Sequence, residues 1–196
     1  FELAMKTKLK YITILIAFLF FGSSIADESQ KNIYVVPIQD VIDLGIPGLV
    51  NRSIDLAEDK NADLIIFDID TFGGRVDAAT QIKDAISGTD ILTVGFINRR
   101  AISAGSLIAL SCDKIYMTAG ATIGATSVVD MSGTKQSEKS QSYMREEMAA
   151  TAEKSGKNPD IARGMVDEEL SFEYLVVDGD SLKVEDIEGR KEGKLI

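Results

Sequence analysis

Apolar residues along this 196-residue chain fall into blocks that switch between two periods. Continuous apolar runs at 33–38, 64–69, 91–97 and 114–117 read as strands. Between them the apolar positions recur at helical spacing. Leu49, Val50, Ile54 and Ala57 mark a helix opened by Pro47-Gly48 and closed near Lys60 by Asn61. Val76, Ala79, Ile82 and Ile86 mark a second, over 76–86, stopped by Ser87-Gly88, and a third covers 103–112. Strands alternating with such helices imply βαβ crossovers, hence an α/β fold with a mainly parallel, buried sheet. The second half changes character. Residues 119–126 and 132–136 read as loop, 138–154 as a long helix ended by Ser155-Gly156, and Pro159 as the start of a short one. Residues 172–177 and 182–184, joined through Asp178-Gly179-Asp180, read as a β-hairpin. A charged stretch follows and stops at Leu195-Ile196, which reads as a truncated end.

The first 26 residues stand outside this pattern. Lys6, Lys8 and Lys10 precede an eleven-residue run, 11–21, apolar but for Thr13, and Ser24-Ile25-Ala26 ends in small residues. This is the layout of a secretory signal peptide cleaved after Ala26, too short to span a bilayer. Residues 1–4 precede Met5, the expected true start. Residues 27–196 are then expected to form one domain. Loss of 1–26 removes three lysines and one glutamate, which takes the net charge from −10 to −12. So acidic a chain lacks the clustered cations that nucleic-acid binding needs. The single cysteine, Cys112, lies in an apolar context and reads as a packing thiol. With no histidine and one cysteine, neither a transition-metal site nor a cofactor is expected.

The chemistry concentrates in two short stretches. Asp68-Ile69-Asp70-Thr71-Phe72-Gly73-Gly74-Arg75-Val76 leaves an apolar strand through two glycines, and Ser103-Ala104-Gly105-Ser106 begins 27 residues after Val76. Glycines at a strand exit let the backbone turn sharply and aim N–H groups at a ligand oxygen, which is how an oxyanion hole is built. A serine at the start of the small-residue helix, one crossover away, sits beside them. Without histidine, its base must be another group, and a lysine is the candidate.

Together with Tyr34-Val35-Val36-Pro37-Ile38, Asp113-Lys114-Ile115-Tyr116-Met117, Ile123-Gly124-Ala125 and Met165-Val166-Asp167, these motifs resemble the ClpP-class, membrane-associated serine proteases of the NfeD type. The resemblance covers about residues 32–196. It implies a ClpP/crotonase-like fold of repeated β-β-α units with a C-terminal hairpin. It also implies Ser103 as nucleophile, Lys139 as its base and an oxyanion hole at Gly74 and Val76, with Gly73 making the turn. Lys135 is the neighbour that spacing leaves open. Relatives carry proline where this chain has Phe72, a change that bears on the rigidity of the turn. The family implies hydrophobic segments of membrane-associated proteins as substrates, a stomatin-like partner, an exported, membrane-associated location, and homo-oligomers.

A Ser-Lys dyad needs a lysine depressed by several units from about 10.4, which burial in an apolar pocket supplies. Residues 101–104 and 128–131 offer such a pocket, provided Glu138 points away from Lys139. Taken singly, Ser103 reads as a helix N-cap, Lys139 as a surface lysine, Asp70 as holding the loop by hydrogen bonds, Asp68 as structural and Arg99-Arg100 as a solvated loop pair. Met144 and Met148 read as core or interface. Two other functions fit the same fold: a non-catalytic scaffold for a stomatin-like membrane partner, and a crotonase-like acyl-CoA enzyme. The second lacks a glutamate near Gly73-Gly74.

Overall fold

The computed structural model describes residues 31–130, 132–170, 172–177, 181–186 and 192–194. The expected signal peptide, Met131, the hairpin turn at 178–180 and the final Leu195-Ile196 lie outside the described residues. Strands β1 (Ile33–Ile42), β2 (Leu64–Gly74), β3 (Thr93–Ile102), β4 (Lys114–Met117) and β5 (Thr122–Gly124) form the main sheet. They interleave with helices α1 (Ile46–Asp59), α2 (Val76–Ile86) and α3 (Ala104–Ser111); α4 (Glu138–Lys154) and α5 (Pro159–Gly164) follow. The sheet runs β1-β2-β3-β4, every pair parallel, and β5 adds to the far end of β3 through Arg100–Ile102. A separate antiparallel sheet contains β6 (Phe172–Val177), β7 (Ser181–Asp186) and β8 (Glu192–Lys194).

Strand order equal to chain order, with right-handed crossovers, puts the connecting helices on one face of the sheet. That face carries the core: Val36 and Ile38, Ile65, Phe67 and Ile69, and Ile97 pack with Ile54, Ile82 and Ile108 from the helices. The expected sheet is parallel, and it is buried on this face only. On the other face Val35 is 63% and Tyr116 61% exposed. Helix α3 is buried on every side, as a helix without polar periodicity must be. On α2, Ala78 joins Ala79, Ile82 and Ile86 in the core, while Val76 stays partly exposed. Met144 and Met148 are core residues of α4.

Two strands run past their apolar signal. β2 continues to Gly74 because Val41 and Ile42 of β1 pair with Gly73 and Gly74. β3 continues through Asn98-Arg99-Arg100 to Ile102 because Thr122–Gly124, expected as loop, pairs with it. β8 arises in a charged stretch that reads as no element at all.

Candidate active site

Ser103 sits at the junction of β3 and α3 with φ 55° and ψ −117°, a backbone conformation that a residue with a side chain rarely holds. Such strain, of order 1–3 kcal/mol, persists only where the surroundings over-determine it. Here they do. The Ser103 N–H donates to the Gly124 carbonyl at 2.9 Å, and the Ser106 N–H to the Ser103 carbonyl at 2.9 Å. Ser106, fully buried, donates its hydroxyl to the Ala101 carbonyl at 2.7 Å and accepts the Gly124 N–H at 2.9 Å. One side chain thus ties the ends of β3 and β5 to the first turn of α3. The two serines of the motif part roles: Ser106 braces the turn, and Ser103 stands at its apex, facing open space.

That space is a cleft of about 850 Å³, whose walls include Phe72, Gly74, Arg75, Val76, Ser103 and Val129. Beside it lies a cavity of about 50 Å³ that shares Gly74, Val76 and Ser103 with the cleft. Strands β2 and β3, adjacent and parallel, deliver the glycine exit and the serine to the same end of the sheet. Gly73 has φ +107°, and a Cβ there would lie 2.7 Å from Ser103 Cβ and 3.2 Å from the Ala104 nitrogen. Only glycine allows that approach. The Gly73 N–H is already taken, by Thr71 Oγ1 at 2.9 Å, and Thr71 in turn donates to the Asp40 carbonyl. A Cβ at Gly74 would run into the backbone of Ile42. The Arg75 N–H bonds the Ile42 carbonyl at 2.8 Å, so ladder alternation turns the Gly74 N–H away from β1. Val76 begins α2 and Ala104 begins α3, where N–H groups have no intrahelical acceptor. Ala104 is a donor that the sequence reading missed; its signal is its place directly after a serine at a strand-to-helix elbow.

The lysines stand elsewhere. Lys139 is exposed in the first turn of α4, and Lys135 is exposed with its ammonium 3.3 Å from Glu168. No lysine among the described residues lines the cleft or the cavity. Glu138 does point outward, paired with Arg145. Two residues beyond Lys139, buried Gln141 grips the cavity wall. Its amide accepts from the Val128 N–H at 3.0 Å and donates to the Val128 carbonyl at 2.7 Å.

Asp70, expected to hold the loop by hydrogen bonds, instead faces two cations. It faces Arg100 at 3.3 Å and Arg99 at 3.8 Å, and both arginines belong to β3 rather than to a solvated loop. The Arg100 guanidinium lies 4.3 Å from the Phe72 ring centroid, so the ring is steadied by a cation–π contact. Among the described residues Asp68 Oδ1 has no hydrogen-bond partner, while Oδ2 receives a long 3.4 Å hydrogen bond from Gln39. Cys112 is a packing thiol: burial pushes it up to about 12, and Lys157, whose ammonium donates to the Cys112 carbonyl, is lowered by burial.

Residues 32–189 match the model of the NfeD1b N-terminal domain. The chain belongs to the NfeD1b N-terminal domain family. Membrane protein NfeD1b of Bacillus subtilis is 37% identical over 145 residues, 74% of this chain and 33% of that protein. Membrane-bound protease PH1510 of Pyrococcus horikoshii is 30% identical over 166 residues, 81% of this chain and 37% of that protein. The chain therefore spans about a third of the length of the curated relatives it matches. Among solved structures, a lysine-to-alanine mutant of the 1510-N membrane-bound stomatin-specific protease, in complex with a substrate peptide, superimposes with TM-score 0.67. It is 29% identical, with 72% of this chain and 68% of that one covered. ClpP1 from Listeria monocytogenes shares the fold, with TM-score 0.52 at 23% identity over 68% of this chain and 78% of that one. The NfeD1b domain here is thus α/β and ClpP-like. Among its described residues no helix is long and apolar enough to cross a membrane.

Proposed function

We propose that the chain is a serine endopeptidase that cleaves hydrophobic segments of membrane-associated proteins, a stomatin-like protein among them. The observation that carries this reading is the strained Ser103 elbow, half-buried where cleft and cavity meet and pressed against Gly73. Ser103 Oγ attacks the scissile carbonyl carbon and passes its proton to the neutral Nζ of Lys139. The N–H groups of Gly74, Val76 and Ala104 receive the oxyanion at the positive end of α3. Collapse of the tetrahedral adduct expels the amine with that proton, and water then hydrolyses the acyl-enzyme. Lys139, exposed in the first turn of α4, must be brought to Ser103 by a movement of that turn when substrate binds, and catalytic hydrogen bonds often close only in that complex. Solved mutants of 1510-N in which a serine or a lysine is replaced by alanine support this pairing. On this reading the domain works outside the cytoplasm at a membrane surface, as a homo-oligomer; the membrane-bound relatives support the membrane association.

The exposed position of Lys139 favours a second reading, a non-catalytic domain that grips a stomatin-like partner in the same cleft. Hydrolysis of an unfolded hydrophobic protein, followed from pH 6 to 10 beside Ser103→Ala and Lys139→Ala, separates the two. Activity that rises with pH and is abolished by both substitutions is expected for the dyad. Activity that survives Lys139→Ala moves the base to Lys135, and binding without cleavage leaves the scaffold.

A further inference from the structure

The sheet face turned away from the helices is apolar and uncovered. Side chains alternate across a strand, and the parallel register lines them up in rows. Val35, Ile66, Val94 and Lys114 form one outward row, and Pro37, Asp68, Phe96 and Tyr116 form the next. The row between them faces the helices: Val36 and Phe67 are core residues, and a Cβ on Gly95 would meet Cys112 and Ala109. All the outward residues but Asp68 and Lys114 are apolar, and Ile33, 49% exposed, extends the patch along β1. Four strands about 4.8 Å apart and about 20 Å of β1 give it a plan area of roughly 300 Å². Exposed apolar patches of that size on a single chain are commonly functional.

Two charged groups in these rows lack a partner of opposite sign. Asp68 Oδ1 is buried with no hydrogen-bond partner among the described residues, and Oδ2 has only the 3.4 Å bond from Gln39. Lys114 is exposed and makes no ion pair among the described residues. Neighbouring Asp70, by contrast, is already answered by Arg99 and Arg100. Asp68 and Lys114 stand on β2 and β4, with β3 between them and one row apart, so their main chains are about 12 Å from each other. They do not meet within one chain. A buried carboxylate oxygen left open costs free energy until a donor reaches it.

We propose that this open face is an interface between two copies of the chain, packed sheet on sheet about a two-fold axis over β3, with Asp68 of each copy paired to Lys114 of the other. β3 lies midway between β2 and β4, so an axis in the plane of the interface, crossing β3 between Val94 and Phe96, exchanges the two positions. One rotation makes the ion pair twice, as a self-complementary contact requires. Ile66, Val94 and Phe96 then fill the centre, across the separation of about 10 Å that packed sheets adopt. Charge argues for a second copy as the occupant. At a net −10 the chain repels its own kind over most of its surface, but here Asp68 and Asp70 are balanced by Lys114 and Arg100. The plan area puts the contact in the class of weak, reversible dimers. No residue of the two rows lines the Ser103 cleft, so the inference stands apart from the protease reading.

Sedimentation equilibrium of the purified chain from about 1 μM to 1 mM measures the dimer, and thermal melting followed by circular dichroism checks that each variant is folded. Lys114→Glu sets two acids face to face, and Asp68→Lys sets two ammonium groups face to face. Each should raise the dimer Kd at least about tenfold. An equimolar mixture of the two variants restores opposite charges at both contacts, and its heterodimer should return to within about threefold of the parent Kd. Tyr116→Glu places a charge in the apolar part of the contact and should also raise Kd at least about tenfold. Lys114→Glu and Tyr116→Glu change exposed positions, so they carry the test even where Asp68→Lys does not fold. A dimer that neither of these two weakens lies on another surface, and a mixture no tighter than either variant alone removes the Asp68 to Lys114 pairing. A chain that stays monomeric up to 1 mM leaves the face to a different protein or to a membrane. Any of the three results overturns the proposal.

Discussion

Replacing Ser106 by alanine removes a few atoms from a fully buried site yet should be one of the costliest single changes in the chain. The hydroxyl donates to the Ala101 carbonyl at 2.7 Å, lies 3.0 Å from the Gly124 carbonyl, and accepts the Gly124 N–H at 2.9 Å. Alanine leaves a buried N–H without a partner, at about 1–3 kcal/mol, and forfeits a donated bond worth about 1 kcal/mol. The sum is about 3 kcal/mol. For a domain of this size that lowers Tm by roughly 6–12 °C. Ser111 supplies the control on the same helix. It is also buried, but its hydroxyl only back-bonds to the Ile108 carbonyl at 2.7 Å, and Ser111→Ala should cost under about 1 kcal/mol. Urea unfolding followed by circular dichroism measures both. Equal losses for the two variants would refute the reasoning, because the bridge between β3, β5 and α3 would then carry no energy of its own.

Gly73→Ala brings a Cβ to 2.7 Å from Ser103 Cβ at φ +107°, and should reduce peptide hydrolysis at least about a hundredfold while Gly48→Ala, which meets only the tip of Arg52, leaves it intact. Gln141→Ala frees the main chain of Val128; hydrogen exchange at the Val128 amide should quicken and hydrolysis fall at least about tenfold, and unchanged protection there would count against the clamp. Cys112, with its thiol pushed up to about 12 by burial, should resist a disulfide reagent at pH 8 in the native chain and release one equivalent in denaturant; native-state reaction would show that the α3 end opens.

Much of the scaffold was legible because its signals are local. Helix 76–86, strand 114–117 and helix 138–154 have the bounds that apolar spacing and stop residues imply. What escaped depends on distant pairing. Nothing in Asn98-Arg99-Arg100 announces a strand; β3 runs on through it because Thr122–Gly124, twenty-two residues beyond Arg100, pairs with Arg100–Ile102. The same holds for the site. Gly73, Gly74 and a serine-led helix are visible in sequence, but the division of labour between Ser103 and Ser106 follows from the positive φ at one and the full burial of the other. Thr126, in a stretch that reads as plain loop, shows its place only once the turn through Gly124 and Ala125 folds it inward.

The central claim is that Ser103 is a reactive nucleophile. Incubation of the chain with a fluorophosphonate across pH 6 to 10, followed by intact and peptide mass spectrometry, tests it most directly. The account predicts a single adduct, mapped to Ser103 and absent from Ser103→Ala. An adduct that persists in Ser103→Ala, or a folded chain that acquires none at any pH, would contradict it.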